Sequence, residues 1–165
     1  MAVLIKVIRD SGGGLPYLQN ACNYIRDGRE QGYGYGGYGV NPYDAGAAYS
    51  QMEAVKRYYG QTNTNPHIHF VVSFDGPTNT AEYAAYAAPL IAGYFKDNYQ
   101  VMWSVHPADP DSSHYHTHIL LNSVNLQNGH LFHSGRYEVN GFCRHVKEIT
   151  GMPYRVVYEN KRREQ

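Results

Sequence analysis

The sequence predicts an α+β fold: a central antiparallel sheet of about five strands, with helices packed mainly on one face. Three observations predict it. Apolar residues recur at helical spacing in four segments, and β-branched runs of strand length fall between them irregularly. Two of those runs, Tyr99–Val105 and Ile119–Val124, are joined by a loop through Pro107–Ser113, which makes an antiparallel hairpin and not a parallel crossover. The 165 residues contain no internal repeat and suit one domain with one core.

The elements follow in order. Ala2–Ile8 is a strand, and Ser11–Gly14 a turn. Pro16 suits a first helical position, and Leu15, Leu18, Cys22 and Ile25 carry a helix to about Asp27, where Gly28 ends it. Gly28–Tyr43 is rich in glycine and tyrosine, has no apolar period and reads as a mobile loop. Asp44 caps a second helix to Tyr59, with Tyr49, Met52, Val55 and Tyr59 on one face. Gln61–Asn65 is a polar loop, and Pro66–Phe74 a strand on which His67 and His69 share a face. Thr80 caps a third helix to Asn98, with Pro89 expected to kink it. After the hairpin and a turn at Asn128-Gly129, Arg136–Thr150 is a fourth helix, stopped by Gly151, with Val139, Phe142, Val146 and Ile149 inward. Arg155–Tyr158 is a short last strand. The domain therefore spans 1–158, and 159–165 is a polar tail or the start of a linker.

Composition narrows the partners. Fourteen Lys and Arg balance fourteen Asp and Glu, so the total lacks the basic surplus usual in nucleic-acid binders. Local positive charge remains at Arg26 and Arg29, beside a helix end, and at Lys161, Arg162 and Arg163. Nine of the 17 tyrosines fall between Tyr17 and Tyr59, where their rings offer stacking platforms for unpaired bases. Cys22 and Cys143 sit in helical patterns as reduced, buried thiols, which implies a reducing, cytoplasmic setting. No run of 18 apolar residues is present to span a membrane, and the start, MAVLIKVIRD, lacks the basic region and cleavage site of a signal peptide.

The chemistry concentrates in His106–Asn125, which holds four of the nine histidines. His114, His116 and His118 alternate with Tyr115 and Thr117, so on a strand their imidazoles share a face. The hairpin places His106, at the end of the preceding run, across from His116 and His118. Three imidazoles about 2 Å from one point make a transition-metal site. Manganese, zinc, cobalt or nickel match such ligands better than calcium does. His106, His116 and His118 are the expected ligands, with His114 peripheral and His67 and His69 in reserve. Asp109 and Asp111 in the connecting loop are candidates to hydrogen-bond the far nitrogen of a ligand histidine.

A histidine at a strand end, an Asp-containing loop, then His116-Thr117-His118 leading into Ile119-Leu120-Leu121-Asn122 resembles the relaxase/mobilization nucleases. These are HUH endonucleases, named for histidine-hydrophobe-histidine. PHIHFVVSFDG, the first helix LQNACNYIRD and the last helix GFCRHVKEITGMPY resemble the family's corresponding segments, so the likeness covers most of the chain. Thr117 departs from the bulky middle residue, mildly, because Thr suits a strand.

The resemblance implies an HUH-like fold and a DNA-nicking activity. A tyrosine attacks a phosphodiester of single-stranded DNA at the transfer origin of a plasmid or conjugative element. The enzyme becomes joined to the 5′ phosphate, a 3′ hydroxyl is freed, and rejoining reverses the step. The implied cofactor is a divalent metal, Mn2+ or Mg2+, with Zn2+, Co2+ and Ni2+ as alternatives. Tyr24 matches the position of the attacking tyrosine, and Asp109 is the acidic candidate. Arg26, Arg29, Tyr33 and Tyr35 are the expected DNA contacts, with Tyr38 beside them on the glycine-rich loop. The implied partner is single-stranded DNA with a hairpin flank, together with accessory relaxosome or coupling proteins, and no membrane. Two other readings remain open. One is a histidine-triad nucleotide hydrolase or transferase using His114, His116 and His118; the other is a non-catalytic DNA-binding module.

Overall fold

The structure is a computed structural model describing residues 1–10, 14–63, 65–108 and 113–161. Its strands are β1 (Val3–Asp10), β2 (Tyr35–Tyr38), β3 (His67–Ser73), β4 (Val101–His106), β5 (His116–Asn122) and β6 (Tyr154–Lys161). Its helices are α1 (Leu15–Ile25), α2 (Ala45–Tyr58), α3 (Ala81–Ala92) and α4 (Arg136–Thr150). The sheet order is β2-β4-β5-β3-β1-β6. Each neighbouring pair is antiparallel except β1 with β6, which is parallel.

The α+β class is as the sequence predicts, on a mixed sheet with one strand more than expected. The helices divide between its two faces instead of gathering on one. Ile119 and Leu121 of β5 and Val101 and Val105 of β4 join the larger core, with Ile91 of α3 and Phe142 and Val146 of α4. The alternate residues Leu120 and Met102 join a second core with Leu18, Cys22 and Ile25 of α1 and Met52 of α2. Strand pleating puts the two sets on opposite faces.

Most boundaries lie within a few residues of their expected places. Asp44 caps α2 by accepting from Gly46 and Ala47 N, and Thr80 caps α3 by accepting from Tyr83 N. Pro89 lies inside α3, which passes into a 3-10 turn at Gly93–Phe95, short of the expected Asn98. Gly151 closes α4 in the left-handed region, at φ 67°. β6 is longer than expected and runs past residue 158 to Lys161. Ser11–Gly13, Asp109–Ser112 and 162–165 lie outside the described residues, and with them most of the expected first turn, both loop aspartates, Arg162 and Arg163.

The clearest correction is in the glycine-rich segment, expected to be a loop throughout. Tyr35–Tyr38 forms the edge strand β2, paired with β4. Gly36 lies opposite Trp103, and a Cβ there would run into the indole ring. Tyr38 packs at a tilt against the same indole, with ring centroids 5.1 Å apart, and its hydroxyl donates to Pro89 O at 3.1 Å. Glycine, which usually weakens a strand, here permits its close approach.

The buried face of α2 also differs. Ala48, Met52 and Lys56 point inward, while Val55 is only half-buried. Lys56 is wholly buried and donates to Ser123 Oγ at 2.9 Å. Burial pulls its ammonium pKa down to about 8. Below pH 8 both folded and unfolded chains hold this proton, and the folded chain carries the full cost of the buried charge. Between about 8 and the unfolded value of 10.5 the folded chain releases it first, and the cost is relieved. Measured against Lys56→Met, wild-type stability is therefore expected to rise over that window, by roughly 3 kcal/mol at 1.36 kcal/mol per pH unit. Urea melts of both proteins at pH 7.5, 9 and 10.5 check this, and parallel curves would refute it.

Candidate active site

The site lies on the sheet face that carries α1 and α2. His106 of β4 pairs directly with His116 of β5, and Ser104 with His118. Period-two pleating turns all three imidazoles to this face while Thr117 and Ile119 point the other way. At the far end of β5, Asn122 donates to Gln100 Oε1 at 2.8 Å and to Met52 O at 3.4 Å, tying the strand to α2. The helices thus cover Leu120 and Asn122, and the last turn of α1 brings Tyr24 to the histidines.

The three histidines are buried, and their candidate ligand atoms all lie within 4.8 Å of one another. His116 Nδ1 donates to the His114 carbonyl at 3.0 Å. A carbonyl only accepts, so neutral His116 keeps its lone pair on Nε2. His118 Nδ1 lies 2.8 Å from His69 Nε2, and one proton joins them. His118 Nε2 is buried and has no hydrogen-bond partner among the described residues. Burial, then the neighbouring His69, His106 and His116, hold the His118 pKa well below its ordinary 6.5. His118 is therefore neutral at physiological pH, the form a metal requires. Three converging buried imidazoles, one with an orphaned nitrogen, fit a transition-metal ion.

Tyr24 stands at the end of α1, 43% exposed, with its ring edge-on to His118 at 5.5 Å and to His69 at 6.0 Å between centroids. The Arg29 guanidinium lies over the Tyr24 ring, 5.2 Å from its centre. Arg29 Nη2 also pairs with Asp27 at 2.7 Å. That hydrogen bond, opposed by burial and helped by Tyr24, holds the Arg29 pKa above its ordinary value. Burial pushes the Asp27 carboxyl up, but its hydrogen bonds from Arg29 more than offset this and hold it low.

The remaining expected residues divide. His114 precedes β5, with Nδ1 3.9 Å from Asp75 Oδ1, and lies outside the triad. Arg26 is turned to the protein's own backbone. It donates to Pro42 O at 2.7 Å and to Trp103 O and Gly36 O at 2.9 Å, and so fastens β2 to β4. Burial lowers its pKa to about 10. Its guanidinium also lies over the Tyr35 ring, 4.8 Å from the centroid. Tyr33 packs against the main core, 6.0 Å from the Tyr115 ring. Asp109 falls outside the described residues.

Three further groups meet the triad. His69 contacts His118, and its signal was present, because His67 and His69 alternate on one strand face. Asp27 and Glu30 form a second possible ligand group with His106. Glu30 is only 2% exposed and accepts from Gly28 N at 3.0 Å, folded under its own turn. No periodicity marks a single glutamate in a glycine-rich segment, so this carboxylate was not legible.

A family model described as "Relaxase: MobA/VirD2-like, nuclease domain" matches residues 17–151. The chain belongs to the MobA/VirD2-like relaxase nuclease family. The match runs from the first turns of α1 to the end of α4 and takes in Tyr24 and the whole histidine cluster. No curated protein and no solved structure matches the chain. As a relaxase nuclease domain it is a DNA endonuclease of the nicking type acting on single strands. Among the described residues no helix is long and apolar enough to cross a membrane.

Proposed function

We propose that this relaxase domain nicks and rejoins single-stranded DNA at an origin of transfer, through a 5′-phosphotyrosine on Tyr24, to mobilise a plasmid or conjugative element. The observation that carries the reading is the contact of the Tyr24 ring with His118, inside a buried three-histidine cluster. His106, His116 and His118 would hold a divalent metal, Mn2+ or Mg2+ first, which when bound polarises the scissile phosphate.

The protein's own groups do the rest. The Tyr24 oxygen attacks phosphorus, a Tyr–O–P bond forms, and the bond from phosphorus to the 3′ oxygen breaks. The leaving oxygen takes a proton to become the 3′ hydroxyl, and the phenolic proton goes to solvent, which reaches the half-exposed ring. Arg29, over the Tyr24 ring, meets flanking phosphate, Tyr35 on the histidine face of β2 meets the strand, and Arg26 acts indirectly by holding β2 in place. A hairpin flank and accessory relaxosome proteins complete the assembly. The setting is the cytoplasm.

Intact mass after incubation with single-stranded origin DNA tests the reading. A DNA–protein adduct that survives denaturant supports it. A free mononucleotide product would instead favour the histidine-triad chemistry, and binding without cleavage the non-catalytic module.

We take Glu30, a buried carboxylate within 4.8 Å of a His106 ring nitrogen, as the group that orients this histidine, with Asp109 and Asp111 the other candidates. Glu30→Gln keeps the shape and removes the charge, so metal affinity should fall about 10–100-fold, as when a ligand histidine loses its partner. Competition against a chelating dye measures this. An unchanged affinity in Glu30→Gln, with a loss in Asp109→Asn, would assign the role to Asp109.

A further inference from the structure

One half of the site face is bare sheet. α1 lies over β4 and β5, and among the described residues no helix packs extensively on β1 and β6 on that side. The two faces of β1 show the contrast. Val3, Ile5 and Val7 are sealed against the main core, whereas on the opposite face Leu4 and Lys6 are only half-buried, and burial resumes at Ile8. The register runs this bare face straight out of the histidine cluster. His116 pairs with Ser73, Ser73 with Leu4, and Leu4 with Arg155. The next row runs from His118 through Val71 and Lys6 to Val157. A cavity of about 320 Å³ lies along the first of these rows, lined by Leu4, Lys6, Ser73, His114 and Arg155 among others. Its far edge is about 14 Å from His116, three strand spacings away.

We propose that the single strand leaves the scissile phosphate across this face, with Lys6 and Arg155 of the cavity lining neutralising backbone phosphates. The inference rests on the nuclease reading, and it names where a flank of the substrate lies. Leu4 and Val157 are half-buried and give this face an apolar surface that suits sugars and bases, with Val71 buried between them and the histidines.

Two acidic groups also face the path. Glu159 lies 3.6 Å from Lys6 Nζ, and Asp75 lies 3.9 Å from His114. The Lys6–Glu159 pair is open to solvent, with side chains 37% and 46% exposed, so it holds Lys6 weakly and yields to a phosphate. This local pair of cations needs no basic surplus in the chain, which has none.

The test is fluorescence anisotropy of a labelled mixed-sequence oligodeoxynucleotide against salt, in a Tyr24→Phe background so that the strand stays whole. Each single-strand phosphate contact contributes about 0.7 to the slope of log K on log salt. Adding Lys6→Gln and Arg155→Gln together should reduce the slope by about 1.4 and weaken binding roughly 25-fold near 0.1 M salt. Glu159→Gln, which removes the competing anion, should instead tighten binding. Both substituted side chains are partly or fully exposed, so thermal melting should match the parent. A parent that binds while the double variant keeps the parent slope overturns the path alone. A parent that binds no single strand at any salt overturns the nuclease reading, and the path with it.

Discussion

Tyr24→Phe is expected to abolish strand cleavage while metal and DNA binding persist. The substitution removes one oxygen and leaves the ring, so its edge contacts with His69 and His118 and the Arg29 guanidinium above it survive. The step that forms the Tyr–O–P bond then has no nucleophile. Loss of a covalent nucleophile is typically worth at least about 10³-fold, so the variant should show no product on the wild-type timescale. In the wild type the adduct should map to the α1 peptide around Asn20–Arg26. Tyr33 and Tyr35 are poorer candidates, because their rings pack against Tyr115 and beneath Arg26. An adduct on either would move the nucleophile to the segment after α1 and leave the family assignment standing. Cleavage by Tyr24→Phe at the wild-type rate, with no adduct anywhere, would mean attack by water, and the domain would be a hydrolytic nuclease.

The parts of this site that periodicity governs were legible in the sequence. Alternation on β5 put His116 and His118 on one face, and the hairpin put His106 opposite, because strand pairing leaves few registers once one face is buried. Caps at Asp44 and Thr80 and the stop at Gly151 were legible because each rests on a local hydrogen bond or dihedral. What escaped depends on contacts distant in sequence. β2 exists because Gly36 and Gly37 let a backbone approach Trp103 and Val101, and a glycine does not announce its neighbour. Arg26 reads as a surface cation beside a helix end, yet three carbonyls from separate segments converge on it. Lys56 interrupts no pattern strongly enough to shift the expected stripe of α2, although Ser123 receives it inside. The helices divide between two faces because the sheet is apolar on both sides around Leu120 and Met102, and a fully buried strand does not say which helix covers which side.

His118→Ala is expected to lose metal and cleavage together. His118 Nε2 is the orphaned nitrogen of the cluster, and burial with three imidazole neighbours keeps it neutral. Removing it leaves two ligand histidines. Metal affinity should therefore fall by more than the about 10–100-fold that follows loss of a ligand's hydrogen-bond partner. His69→Ala supplies that smaller comparison, since it removes the partner of His118 Nδ1 and leaves the triad whole. The expected order of metal affinity is wild type, then His69→Ala, then His118→Ala, read by calorimetry with Mn2+. Proton competition gives an independent arm. In the metal-free protein the folded His118 pKa lies below the unfolded value, so the unfolded chain takes up the proton first as pH falls below about 6.5. Its contribution to stability is complete above that pH and is lost below it. Metal-free wild type should accordingly destabilise more steeply between pH 6.5 and 5 than metal-free His118→Ala, in which the group is absent. Equal steepness would mean that His118 is not held neutral by its surroundings, and equal metal affinity in wild type and His118→Ala would remove it from the ligand set.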